Sequence, residues 1–119
     1  MTSIDARLVR DTLDTPAIAD VTSAARAALA PVMARAGLRA GARVAITAGS
    51  RGVARIDAIL RGACDAVRDA GATPFLVAAM GSHGGGTGDG QRAMLAHLGV
   101  SERSVGAPIE SEMDVVEVG

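Results

Sequence analysis

Two short apolar runs, Arg43-Val44-Ala45-Ile46-Thr47-Ala48 and Thr73-Pro74-Phe75-Leu76-Val77-Ala78-Ala79, each end in a glycine-bearing loop, and a single helical-period segment separates them. That order constrains the fold more than any other feature of the chain. Runs of this length, rich in β-branched residues and bounded by glycine, read as buried strands. A helix between two such strands is the crossover of a parallel pair, because parallel strands cannot be joined by a tight turn. The intervening segment, about Ala54 to Ala70, places Ile56, Ile59, Leu60, Ala63, Cys64 and Val67 on one stripe, while Arg55, Arg61, Arg68 and Asp69 mostly face water. Gly71 supplies its stop, and Pro74 falls at the start of the second strand, where a missing N–H does least harm.

The flanking segments extend the same alternation. From Pro16 to Ala36 the residues Ile18, Val21, Ala25, Ala28, Leu29, Val32, Met33 and Ala36 recur at helical spacing, with Gly37 as a stop and Pro31 predicting a kink or two abutting helices. Leu8-Val9 reads as a short edge strand between Arg7 and Arg10. A third helix is expected from about Gly90 to Leu98, with Met94, Leu95 and Leu98 as its inner face, then a turn or single helical turn at Ser101-Glu102-Arg103-Ser104. Met113-Asp114-Val115-Val116-Glu117-Val118 is the third strand candidate. The expected fold is α/β, a three-layer Rossmann-like or flavodoxin-like parallel sheet with helices on both faces, in one domain over 1–119. Consecutive right-handed crossovers put the loop after the first strand beside the loop after the second, at the carboxyl edge where open α/β sheets bind ligands.

Composition removes several function classes. All twelve basic residues are arginine, so neither a Schiff-base lysine nor a P-loop lysine exists in these 119 residues. The formal net charge is −1 with no basic stripe, and Phe75 is the only aromatic residue, so both the electrostatic footprint and the stacking platform of a nucleic-acid binder are missing. Cys64 is the only cysteine, which rules out an intramolecular disulfide. No segment has the length and apolarity of a signal peptide or membrane span, and the expectation is a cytoplasmic protein without membrane or nucleic-acid partners.

The loop Gly81-Ser82-His83-Gly84-Gly85-Gly86-Thr87-Gly88-Asp89-Gly90 sets a histidine among glycines, which leaves it no apolar shell. Glycine at this density marks backbone that bends sharply or approaches another group closely. Imidazole exchanges its proton near neutral pH, so His83 is a candidate acid/base residue; the plainer alternative is an exposed loop histidine bonding a carbonyl, in a flexible linker. In the first loop, Gly49-Ser50-Arg51-Gly52, Arg51 and the backbone at a helix start suit an anion, with Ser50 adding a hydroxyl; the alternative is an ordinary N-cap beside a solvated arginine. Gly88-Asp89-Gly90-Gln91-Arg92-Ala93 matches the loose dinucleotide fingerprint, although the loop before it is too long for that motif. His97 reads as a surface residue and Cys64 as a small core residue. Two distant histidines and one cysteine make no closed metal site.

The pair Val44-Ala45-Ile46-Thr47-Ala48-Gly49-Ser50-Arg51-Gly52 and Pro74-Phe75-Leu76-Val77-Ala78-Ala79-Met80-Gly81-Ser82-His83-Gly84-Gly85, with the later Val105-Gly106-Ala107-Pro108-Ile109, resembles the amino-terminal domain of the nickel-dependent lactate racemase family. The resemblance covers most of this chain and only the first part of a family member. It implies racemisation or epimerisation of a 2-hydroxy acid, a small-molecule substrate, with a nickel pincer nucleotide bound between two domains. It further implies that His83 removes the substrate hydroxyl proton while the α-hydrogen leaves as hydride to the pincer ring, and that Ser50, Arg51, Gly81 and Ser82 hold cofactor or substrate. The chain departs from the family pattern at Ala48 or Gly49, where the family has aspartate, at Gly52, where it has proline, and at Gly84, where lactate racemase has arginine. The tethering lysine and nickel ligand of the family lie later in its sequence. The 119 residues alone are therefore expected to be an inactive part of a divergent member, prone to self-association through an exposed sheet edge. From another class, a non-catalytic module binding phosphate or a nucleotide at the two glycine turns fits the same residues, and so does an assembly element with a merely flexible loop.

Overall fold

The computed structural model describes residues 6–10, 12, 15–112, 114 and 117. Its elements run α1 (Val21–Ala36), β1 (Arg43–Ala48), α2 (Ile56–Asp69), β2 (Thr73–Ala78), α3 (Gly88–His97), α4 (Glu102–Val105) and β3 (Ile109–Glu110). The three strands form one parallel sheet in the order β1-β2-β3, with Arg43 opposite Thr73 through to Ala48 opposite Ala78, and Leu76 opposite Ile109. The chain is thus α/β with a parallel sheet, as the strand-helix-strand order requires.

Side-chain alternation along the strands sends Ile46, Ala48, Leu76 and Ala78 to one face. There they join Leu60 and Cys64 of α2, Leu95 of α3, Val105 of α4 and Val100, Ala107 and Ile109 in a single apolar cluster. Leu76, Leu95, Val105 and Cys64 are fully buried, so aliphatic packing alone fills the core, each large side chain contributing about 1.5–3 kcal/mol on burial. On the opposite face Ala45 and Thr47 are exposed and Phe75 and Val77 half-buried, with the Arg43 guanidinium 4.3 Å from the Phe75 ring centroid.

Helix ends follow local chemistry. Asp20 caps α1, its carboxylate accepting from the Ser23 N–H at 2.9 Å and the Ser23 hydroxyl at 2.7 Å, and Gly37 at φ 60 closes it. At the end of α2, Gly71 at φ 76 lets its N–H reach the Arg68 carbonyl while the Ala72 N–H reaches Val67, the paired bonds of a Schellman stop. Gly99 does the same after α3, bonding Ala96 while Val100 bonds Leu95.

α1 continues through Pro31 as one helix, so two abutting helices are not found, and only the stretch from Val21 is helical of the segment beginning at Pro16. None of its side chains is fully buried; it lies outside α2, brought close by Gly62 and tied by the two-pronged Arg26–Asp69 pair, 2.5 and 2.7 Å. Leu8 and Val9 form no strand and are 96% and 78% exposed, because two residues between arginines offer too few ladder bonds to hold an edge. The third strand is Ile109–Glu110, secured by the Leu76 N–H to the Pro108 carbonyl and the Ile109 N–H to the Glu102 carboxylate. Of the strand expected at Met113–Val118, residues 113, 115, 116 and 118 lie outside the described residues. Among the described residues, no helix is long and apolar enough to cross a membrane.

Candidate functional site

The in-step pairing of β1 and β2 releases both chains at the same edge, where the Ala79 N–H donates to the Ala48 carbonyl at 2.9 Å. From there each loop delivers one polar side chain. Ser50 Oγ lies 2.5 Å from His83 Nδ1, a contact between residues thirty-three positions apart. The pair borders a cleft of about 360 Å³ lined by Gly49, Ser50, Arg51, Val53, Ile56, Ala79, Met80 and His83. Strand order therefore brings together the three polar side chains singled out by spacing, Ser50, Arg51 and His83. Gly81 and Ser82 do not line the cleft.

Tight backbone turns set the two loops. After β1 the Val53 N–H donates to the Arg51 carbonyl at 2.9 Å and the Ile56 N–H to the Val53 carbonyl at 3.2 Å. α2 starts at Ile56, two residues after the expected Ala54, so the Gly49–Gly52 turn stands off the helix amino terminus and the ordinary N-cap alternative does not hold for Ser50. The N-cap is Arg55, at φ 56 and ψ 36, without a side-chain cap bond. A non-glycine residue in the left-handed region is uncommon, and it sits one residue before Ile56 of the cleft wall. Arg51 is exposed and, like Arg7, Arg10, Arg35, Arg39 and Arg103, makes no ion pair among the described residues, but it is the arginine that lines this cleft.

After β2 the His83 N–H donates to the Met80 carbonyl at 3.2 Å across a turn with Gly81 at φ 58. Gly84, Gly85 and Gly86 follow at φ 66, 71 and 67. The loop then folds onto the start of α3: a Cβ on Gly90 would lie 1.7 Å from the Gly84 carbonyl oxygen, and the Thr87 side chain both caps α3 through the Gly90 N–H and reaches the Gly84 carbonyl. Glycines 88 and 90 lie inside α3, where they admit backbone from Ser111 and Gly84. That packing explains the apparent dinucleotide fingerprint without a pyrophosphate.

A proton-transfer role needs a free ring nitrogen. When His83 Nδ1–H donates to Ser50 Oγ, Nε2 keeps its lone pair and can accept a proton from a bound hydroxyl; the imidazolium so formed keeps the Nδ1–H···Oγ bond and can return the proton from Nε2. Ser50 thus serves the ring in both protonation states. A larger opening, about 510 Å³, lies beyond the glycine loop among Gly86, Thr87, Gly88, Asp89, Arg92, Ser111, Glu112 and Asp114. Its three carboxylates repel an anionic substrate and it has no histidine, so size does not make it the chemical centre.

His97 is exposed on the last turn of α3, and Cys64 is fully buried with burial pushing its thiol pKa upward. Among the described residues, no group of three His, Cys, Asp or Glu side chains could hold a metal ion. Sequence reasoning missed the apolar wall of Val53, Ile56 and Met80, and it missed Gln91, which is 2% exposed and donates from Nε2 to the Gly81 carbonyl at 2.9 Å. The available signal was a polar residue four positions before Leu95 on the buried stripe of α3. No protein-family model, curated protein or solved structure matches this chain.

Proposed function

We propose that this chain supplies the proton-transfer part of a lactate-racemase-like site that racemises or epimerises a 2-hydroxy acid. The observation that carries the reading is the Ser50–His83 contact at the carboxyl edge of two parallel strands, in a cleft that also holds an arginine with no ion-pair partner among the described residues. In this reading Arg51 takes the substrate carboxylate, Val53, Ile56 and Met80 exclude water from its carbon face, and His83 exchanges the hydroxyl proton through Nε2. Ser50 holds the ring. A three-layer Rossmann-like arrangement belongs to the same proposal, with a second helical layer over the face of Ala45, Thr47, Phe75 and Val77.

The resemblance places the lysine that tethers a nickel pincer nucleotide, and its nickel ligand, outside these 119 residues. The sequence has no lysine to tether one, and the described residues offer no metal-ligand cluster. Hydride transfer is therefore not routed through any group of this chain, and Gly81 and Ser82 have no cofactor role that the geometry favours. A second reading, a phosphate-binding module, is favoured by the exposed Arg51 on the Gly49–Gly52 turn, which makes no ion pair among the described residues.

Both readings are separated by following the enantiomeric purity of a panel of 2-hydroxy acids with the full-length protein. Expected is turnover that His83→Gln reduces about 100-fold or more, the usual weight of a general base. Loss of less than threefold sinks the acid/base role. Calorimetric binding of inorganic phosphate by a protein that turns over none of the panel replaces the enzyme reading with the module.

A further inference from the structure

We propose that Gln91 is a positioning residue for His83, locking the peptide that begins the histidine loop; this rests on the acid/base reading of His83. The turn Met80–His83 closes through the His83 N–H and the Met80 carbonyl, which leaves the central Gly81 carbonyl with no partner inside the turn. Turn types with left-handed first residues differ in which way this central peptide points. Gly81 at φ 58 followed by Ser82 at φ −81 is the type with only its first central residue left-handed, and turning the peptide over would force Ser82 to a positive φ.

Gln91 adds a second lock on the same orientation. Its Nε2 donates to the Gly81 carbonyl at 2.9 Å, and a carbonyl can only accept, so the amide orientation is fixed by chemistry. The side chain is 2% exposed, on the helix face that carries Leu95 into the core, so it is anchored by the same packing that holds the sheet. If the peptide turned over, a buried amide would lose its acceptor, at a cost typical of an unsatisfied buried group. Two contacts hold the far end of the loop: the Gly84 backbone against Gly90, and the Thr87 hydroxyl donating to the Gly84 carbonyl. His83 sits between these two fixed points. The distance from Ser50 Oγ to His83 Nδ1 therefore depends on α3, an element that contributes nothing to the cleft itself.

The chain contains one glutamine and no asparagine, so the side-chain amide signal of Gln91 is unique in a nitrogen-resolved NMR spectrum. The test compares the His83 ring nitrogen shifts in the parent, in Ser50→Ala and in Gln91→Met, which keeps length and apolar volume and removes the donor. Expected is a Gln91→Met spectrum in which His83 moves at least halfway toward its Ser50→Ala position, while the Leu95 and Val100 amides stay in place. Parent-like His83, Gly81 and Ser82 signals in a folded Gln91→Met overturn the proposal. A His83 spectrum insensitive to Ser50→Ala overturns the pairing itself, and with it the acid/base reading, so the two failures are distinct. Should Gln91→Met not fold, the parent decides: its Gln91 side-chain amide protons should exchange with solvent at least tenfold more slowly than those of a free glutamine, and equal rates refute the bond.

Discussion

Gly62→Ala should loosen the outer helix from the rest of the molecule, against the usual gain of replacing glycine in a helix. A Cβ at this position would stand 2.3 Å from the Thr22 carbonyl oxygen, 2.8 Å from the Ala25 Cβ and 3.0 Å from the Arg26 nitrogen. An ordinary carbon-to-carbonyl-oxygen contact is about 3.3 Å or longer, so α1 must retreat by roughly 1 Å. A gap of about 0.5–1 Å forfeits a quarter to a half of the dispersion attraction along the contact. Overpacking of this kind costs about 1–3 kcal/mol, while alanine regains about 0.5–1 kcal/mol of helix propensity. The net expectation is a loss of about 1 kcal/mol, read as a urea midpoint lowered by roughly 0.5 M with slopes of about 1–3 kcal/mol/M. Amide exchange should accelerate in α1 more than in β2, since no α1 side chain is fully buried. Gly52→Ala is the control, with no heavy atom within 4 Å of its Cβ and no left-handed backbone, and should be neutral or slightly stabilising. A Gly62→Ala protein as stable as the parent, with α1 protected as before, would refute the close-packing argument.

Two further outcomes concern titratable groups. The Ser23 N–H holds the Asp20 carboxyl below its ordinary value of 3.8, and the Arg26 hydrogen bond does the same for Asp69. Their stabilisation is full above pH 3.8 and is lost as the pH falls below it. The urea midpoint should therefore drop between pH 6 and pH 3, and drop less in Asp20→Ala or Asp69→Asn; identical acid slopes in parent and variants would count against both contacts. Cys64 is fully buried with a raised thiol pKa, so a thiol-specific disulfide reagent should react with it only as fast as the chain opens. Stoichiometric labelling within the mixing time under native conditions would contradict that burial.

Much of the sheet was legible because β1, α2 and β2 each carry an undivided local signal. Their boundaries fall within a residue or two of the hydrophobic runs, and parallel pairing of the first two strands follows from the helix between them. Ser50 and His83 could be placed side by side on the same argument. The path from β1 into α2 was not legible, because the turn bonds from Val53 and Ile56 depend on backbone conformation at Arg51 and Arg55 that no side-chain pattern announces. β3 was obscured for another reason. Ile109–Glu110 is too short to show a period, and its pairing relies on Pro108 and Glu102 supplying acceptors from outside the strand. Gln91 was hidden by its neighbourhood, since a polar residue beside Arg92 reads as surface until the loop beneath it is in view.

The glycine triplet after His83 has a stereochemical consequence. Gly84, Gly85 and Gly86 lie in succession on the side of backbone space that suits amino acids of the opposite hand. No L-residue enters that run without strain, even at Gly85 and Gly86, where nothing stands within 4 Å of a side chain's first carbon. The segment is thus constrained by handedness and not by the chemistry of any group it carries. Ribosomal synthesis has one achiral residue to offer, and the chain uses it three times in a row. A synthetic chain with D-alanine at 85 and 86 would keep the loop's path while narrowing the freedom of the unfolded state, a substitution that no codon can specify.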